Sequence, residues 1–381
     1  MLVIRADADS QIGIGHLTRS FALGQEWKDQ VGHVVLLTTA DHESLLTPIR
    51  QEGFEVHPLR RAHPHPEDWE TLEELLHAFP QAWVAADGYH FDPEYHRRIR
   101  EQGHPLLVID DKGDLEEYHA DVILNQNPHA ASVEYPAKPQ TRRLLGTRFA
   151  LLRREFKAWR EARKGTPASR LLITLGGGNI LGHALRVLGA LEKFEDPSLE
   201  VTFVLGATTP EAPQIEEAAS NLPMPTTVVH HALDMPKIMA ESDVAITGSG
   251  STCWELAYLG VPSLLLVLAE NQRPLAEWLD HHGVGVNLGS PQALAPDALM
   301  DELTNLLADP KRRQKMARRA RDLVDGDGAA RVVLTLTNQR IRLRNLKRGD
   351  RRLLWEWAND SEVRAAAFSP EPIPWETHVK W

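Results

Sequence analysis

From residue 1 to about 150, short apolar runs alternate with amphipathic stretches. The runs at 2–5, 33–38, 54–58, 82–86, 106–110 and 122–125 read as strands, and the stretches at 17–29, 42–51, 69–78 and 93–102 as helices. Apolar strands alternating with helices predict a parallel sheet covered on both faces. Ligands of such sheets sit beyond the carboxyl ends of the strands, which gathers loops 6–16, 86–92, 110–113 and 125–128 on one rim. Asp, Asn and Gly in these loops suit turns by themselves. Several such loops on one rim predict a cleft for a polar substrate.

A basic stretch at 151–169 contains the linker-like Gly165-Thr166-Pro167-Ala168, and a second alternating unit follows. Its strands fall at 171–175, 200–205, 226–230, 243–247 and 263–267, with a helix at 184–194. In both units a strand runs through glycines into a helix: Gly13-Ile14-Gly15-His16 in the first, and Gly176-Gly177-Gly178 and Gly248-Ser249-Gly250-Ser251-Thr252 in the second. Glycines let the backbone approach a ligand, and free N–H groups at a helix start favour phosphate. Glu255, one turn beyond Ser251, is placed to accept hydrogen bonds from ribose hydroxyls. His16 is placed at the mouth of the first sheet, where an imidazole can serve as acid or base.

The fold class is therefore α/β, two Rossmann-like parallel-sheet domains facing a cleft, the glycosyltransferase-B architecture. A dinucleotide-dependent dehydrogenase needs G-x-G-x-x-G, and neither glycine loop has that spacing. At 341–344 the character changes again to a strand of alternating pattern, then a helix carrying Leu353, Leu354, Trp355 and Trp357. About 40 residues are too few for a full core, so 341–381 reads as the truncated front of a third domain. The expected division is 1–150, 151–335 and 341–381.

Composition narrows the partners. The net charge of −11 over 381 residues argues against nucleic acid. A single cysteine, Cys253, fits a reducing cytoplasm and excludes an internal disulfide. No leader and no membrane-spanning run is read in the sequence. The basic run at 311–321 reads as the solvated face of a helix, and no histidine pair has zinc-enzyme spacing. Asp7-Ala8-Asp9 resembles a metal–nucleotide motif but lies in the half not expected to hold the nucleotide, so no metal and no cofactor is expected.

Ile4-Arg5-Ala6-Asp7 with Ile12-Gly13-Ile14-Gly15-His16, Asp87-Gly88-Tyr89, Gly176-Gly177-Gly178, Ser251 with Glu255, and Asn271-Gln272 together resemble the nucleotide-sugar hydrolases of pseudaminic acid biosynthesis, relatives of the MurG-type glycosyltransferases. The resemblance runs over about 1–335. It implies cleavage of UDP-2,4-diacetamido-2,4,6-trideoxy-β-L-altropyranose to UDP and the free sugar, by inverting attack of water at the anomeric carbon without a metal. Trp355-Glu356-Trp357-Ala358-Asn359-Asp360 and Pro372-Ile373-Pro374-Trp375 resemble the start of a GNAT-type N-acetyltransferase of the amino-sugar branch. The acetyl-CoA loop of that fold is absent, so acetyl-CoA would be a partner only of a complete domain.

In that scheme His16 is the general base, oriented by Asp9 or Asp87. Tyr89 and Asn271 hold sugar or water, and Arg5 meets the acetamido groups or phosphate. Gly15, Gly176, Gly177, Gly178, Gly250, Ser251, Thr252, Glu255 and Gln272 form the substrate cleft. Two other readings share these residues: a transferase passing the sugar to an acceptor alcohol, and a silent nucleotide-sugar-binding module. A lipid-acceptor transferase would carry an apolar or basic patch on its first half, and no single stretch shows one.

Overall fold

The computed structural model describes residues 1–9, 12–161, 168–178, 180–194, 196–206, 209–230, 232, 234–337, 351–367 and 369–380. Residues up to Thr337 form one compact unit that holds two sheets. In the first, β1 (Leu2–Ala6), β2 (Val34–Thr38), β3 (Glu55–Pro58), β4 (Trp83–Asp87), β5 (Leu106–Ile109), β6 (Val122–Asn125) and β7 (Arg142–Leu145) lie parallel in the order β3-β2-β1-β4-β5-β6-β7. In the second, β8 (Arg170–Thr174), β9 (Glu200–Leu205), β10 (Thr226–His230), β11 (Val244–Gly248), β12 (Ser263–Leu266) and β13 (Gly285–Asn287) lie parallel as β10-β9-β8-β11-β12-β13.

Side chains alternate across each strand, and both faces find apolar partners. Leu2 and Ile4 enter a core with Leu36, Leu107 and Leu124, while Val3 enters the opposite one with Val35 and Val84. Leu171 and Ile173 point away from Leu172 in the same manner. Helices α1 (Gly15–Gln30), α2 (Glu43–Gln51), α3 (Pro66–Ala78) and α4 (Pro93–Glu101) accompany the first sheet. Helices α5 (Leu181–Leu191), α6 (Ala212–Ser220), α7 (Met235–Glu241), α8 (Thr252–Leu259), α9 (Arg273–His281), α10 (Pro296–Ala308) and α11 (Pro310–Leu323) accompany the second. The start of α4 is written in its sequence: Asp92 Oδ1 accepts from Tyr95 N at 2.8 Å, and Pro93 has no N–H to satisfy.

Helix α12 (Gly328–Leu336) returns to the first lobe, where Ala329, Val332, Val333 and Leu336 join the core of Leu17, Ala22 and Leu23. A Cβ at Gly328 would stand 2.2 Å from the Ala150 carbonyl oxygen, so this close return needs glycine. Strands β7 and β13 go beyond the sequence reading: one opens on Arg142-Arg143, the other is three residues long, and both are sheet edges. Among the described residues no helix is long and apolar enough to cross a membrane.

The second unit contains α13 (Arg351–Ala358), α14 (Ser361–Ala365) and α15 (Trp375–His378). Trp355 Nε1 donates to the Ile373 carbonyl at 2.7 Å, and its ring meets Trp375 edge-on at 5.6 Å. The strand expected at 341–344 lies outside the described residues. The resemblance of this unit to an acetyltransferase therefore stands on sequence alone.

One buried group gives the first lobe a defined acid sensitivity. His96 on α4 is 1% exposed beside Tyr118, and neither ring nitrogen has a hydrogen-bond partner in the structure. Burial, aided by His119 and His63 and opposed by Asp92, pushes its pKa from 6.5 down to about 4. The unfolded chain thus binds the proton first, and stability falls as pH drops from about 6.5 toward 4. The expected loss is about 3 kcal/mol. Urea unfolding at pH 7 and 4.5 measures it, and His96→Phe removes most of the difference.

Candidate functional site

Each sheet reverses its strand order once, between β1 and β4 and between β8 and β11. Loops leaving the strands on either side of such a reversal diverge and leave a crevice. The glycine loops follow β1, β8 and β11, so all three open at these crevices. The first turn is shaped by Asp9, whose carbonyl accepts from Gly13 N at 2.9 Å and whose Oδ1 accepts from Ile12 N at 2.7 Å. Gly13 then takes a left-handed φ of 75° and leads into α1.

The loops of the two lobes meet. A Cβ at Gly15 would stand 3.3 Å from Ser251 Oγ, one at Gly177 3.1 Å from Ile14 Cγ2, and one at Gly13 3.7 Å from Gly178 N. Side chains at Gly15 and Gly177 would crowd the opposite lobe. Between the lobes lies a cleft of about 770 Å³, lined by His16, Tyr89 and Lys112 from one side and by Gly176, Ser251 and Glu255 from the other. Gly178, Gly250, Thr252, Asn271 and Gln272 also line it. Gln272 Oε1 accepts from Leu268 N at 3.1 Å, which leaves its amide nitrogen toward Gly250.

Register explains how His16 finds its partner. Ala6 pairs with Asp87 across β1 and β4, so the α1 start and the end of β4 lie side by side. His16 Nδ1 stands 2.6 Å from Asp87 Oδ1. An anionic oxygen that close favours a proton on Nδ1, and in the neutral ring that leaves Nε2 as the acceptor. Asp87 is fully buried and also receives Arg19 Nη2 at 2.6 Å, Arg19 Nε at 2.7 Å and Ser20 Oγ at 3.0 Å. Burial pushes its carboxyl up, but the charges and hydrogen bonds of Arg19 and His16 outweigh that and bring it to about 2. It is a fixed anion at neutral pH.

The network continues. Arg19 Nη1 reaches Asp111 Oδ2 at 3.2 Å, and Tyr89 Oη donates to Asp111 Oδ1 at 2.6 Å. The Tyr89 ring meets His16 edge-on at 4.8 Å, carries Lys112 Nζ 3.8 Å above it, and receives Asn271 Nδ2 at Oη from the other lobe at 3.5 Å. Burial, reinforced by the Asp111 charge, raises the Tyr89 phenol well above its usual range, so it stays protonated. Glu255 lies in the cleft with Oε1 2.9 Å from Arg153 Nη2.

Two expectations need correction. Arg5 does not face the cleft: its guanidinium is 0% exposed, held by Asp68 Oδ2 at 2.6 Å and Asp7 Oδ1 at 2.5 Å. Asp9 shapes the loop, and Asp87 is the acid on His16. Within loop 110–113, Asp110 is structural, accepting from the Tyr118 hydroxyl and from Lys112 N, while Asp111 and Lys112 line the cleft. Sequence reasoning missed Arg19 and Arg153, and it placed Asp111 and Lys112 on the rim only as part of loop 110–113, with no role of their own. Arg19 had a usable signal, three residues after His16 and so on the same helix face.

The fold also assembles an apolar wall that no contiguous stretch shows: Phe21 from α1 with Leu45, Pro48 and Ile49 from α2 lines the first-lobe side of the cleft.

Residues 183–332 match the glycosyltransferase family 28 C-terminal domain. The chain is 23% identical over 347 residues to the spore coat polysaccharide biosynthesis protein SpsG of Bacillus subtilis, across 87% of this chain and 96% of that one. It is 24% identical over 294 residues to the UDP-2,4-diacetamido-2,4,6-trideoxy-β-L-altropyranose hydrolase of Campylobacter jejuni, across 75% of this chain and 98% of that one. Among solved structures, MurG of Acinetobacter baumannii superimposes with a TM-score of 0.60 at 17% identity, covering 88% of this chain and 99% of that chain. The chain thus has the glycosyltransferase-B fold of two Rossmann-like parallel-sheet domains, and it is homologous to the Campylobacter jejuni UDP-sugar hydrolase.

Proposed function

We propose that the protein hydrolyses UDP-2,4-diacetamido-2,4,6-trideoxy-β-L-altropyranose to UDP and the free 2,4-diacetamido sugar. The observation that carries this reading is the His16–Asp87 pair, 2.6 Å apart on the cleft wall opposite the glycine loops of the second lobe. The activity in the name of the Campylobacter jejuni relative supports it.

In this mechanism UDP lies against residues 176–178 and 248–252, and the anomeric carbon faces His16. A water oxygen bonds to that carbon as the bond to the β-phosphate oxygen breaks on the opposite side, which inverts the configuration. The water proton passes to His16 Nε2, and Asp87, pinned by Arg19, steadies the resulting imidazolium. The bond electrons leave with UDP, where glycine N–H groups and the start of α8 receive the charge. His16 then returns its proton to solvent. Tyr89 and Asn271 span the lobes beside the reacting carbon, and Glu255 accepts from the ribose.

Incubation with the UDP-diacetamido-altrose tests the reading: UDP and free sugar appear in equal amounts, and a chelator leaves the rate unchanged. A UDP-sugar left intact contradicts it. Glu255→Ala is expected to raise KM about 10-fold or more, as loss of a hydrogen bond to a charged group does, with kcat little changed. Steady-state kinetics read this directly.

The apolar wall of Phe21, Leu45, Pro48 and Ile49 favours one second reading, in which an acceptor alcohol replaces the water. Sugar transferred to an added lipid-linked acceptor in preference to water would support that reading.

A further inference from the structure

Beside the main cleft lies a second cavity of about 230 Å³, walled by Asp7, Asp87, His90, His16, Tyr89, Ile12 and Gly88. Asp7 is 3% exposed, and its two oxygens have different fates. Oδ1 is fully engaged, with Arg5 Nη1 at 2.5 Å and Thr39 N at 2.7 Å. Oδ2 has no hydrogen bond, and neither has His90 Nε2, which stands 3.3 Å from it outside hydrogen-bond geometry. Burial pushes the Asp7 carboxyl up, but His90 and Arg5 outweigh it and hold the group ionised. A buried anionic oxygen whose one neighbouring nitrogen, His90 Nε2, is poorly aligned to donate is under-satisfied, and this one lines a cavity next to the base.

We infer that this side cavity, built around Asp7 Oδ2, receives the acylamino group carried on the sugar carbon next to the reacting one. The inference rests on the nucleotide-sugar reading above and gives the 2-acylamino group of its substrate a place. Three features define the occupant. It supplies a hydrogen-bond donor to Asp7. It has an apolar end, because Ile12, Gly88 and the Tyr89 ring offer little else. The cavity shares His16 and Tyr89 with the cleft, so the group hangs close to the anomeric carbon. An amide N–H followed by a short acyl chain meets all three. At about 30 Å³ of liquid volume per water, the space also exceeds a single bridging water. Arg5 thus acts at one remove, holding the carboxylate that meets the substrate.

Binding and turnover are measured side by side, so that the two readings fail separately. Rapid displacement of a bound fluorescent UDP analogue, read before turnover, compares the affinity of the UDP-diacetamido-altrose with that of the matched UDP-sugar bearing a hydroxyl in place of the 2-acetamido group. Wild type is expected to bind the acylated sugar ~10–100-fold more tightly, the range for one charge-assisted hydrogen bond. Asp7→Asn should remove that preference. Because Asn at a buried site beside Arg5 can cost folding, Ile12→Trp provides a second arm: Ile12 is 46% exposed, and the larger ring fills the cavity. It should lower affinity for the acylated sugar to that of the hydroxyl analogue. Equal affinities in wild type, or a preference unchanged in both variants, overturn the subsite. Preferential binding without UDP release keeps the subsite and overturns hydrolysis.

Discussion

His16→Ala is expected to lower kcat ~10²–10⁴-fold, the usual contribution of a positioned general base. KM and the melting temperature should stay near wild type. His16 is buried against the cleft at the start of α1, and its removal leaves no buried charge without a partner, because Arg19 and Ser20 still hold Asp87. Asp87→Asn should also impair kcat, since an amide holds the imidazole less firmly and no longer matches the Arg19 guanidinium. It should cost stability as well. With its folded pKa brought to about 2 from 3.8, the Asp87 carboxylate stabilises the fold above about pH 4 and loses that contribution as pH falls toward 2. No change of rate in the neutral range should trace to Asp87. Stopped assays with thermal melts on both variants check this. A His16→Ala enzyme of wild-type kcat would dismiss His16 as base.

Arg5→Leu is expected to act on stability. The substitution strands Asp68, 0% exposed, and Asp7, 3% exposed, without their shared cation. Breaking a buried ion pair by removing one partner costs about 3–5 kcal/mol, a large share of the ~5–15 kcal/mol that holds most proteins folded. Tyr95 Oη also donates to Asp68 Oδ1 at 2.8 Å, so the damage reaches the start of α4. Low soluble yield and an early thermal transition are the expected signs. A variant that melts like wild type would contradict the structural role given to Arg5.

These two arginines show what the sequence could and could not carry. Alternation of apolar runs with helices was enough to place both sheets, because period and side-chain chemistry are local. That the His16 and Asp87 loops share a rim was also legible, but that β1 and β4 are neighbours was not. Nor was pairing. Arg5 interrupts an apolar strand, and a charge there suggests a ligand until Asp68, 63 residues away on α3, is seen against it. Arg19 looks like a solvated helix residue until β4 brings Asp87 beneath it. The return of α12 to the first lobe, and the apolar wall shared by α1 and α2, depend on packing between distant segments. Edge strand β7 begins with two arginines and is masked by its own charge.

The central claim is that His16 directs water to the anomeric carbon. Hydrolysis of the UDP-diacetamido-altrose in ¹⁸O-labelled water, followed by mass spectrometry of both products, tests it most directly. Label in the free sugar and none in UDP is the predicted result. Label in UDP would place the attack at phosphorus and contradict the role given to His16.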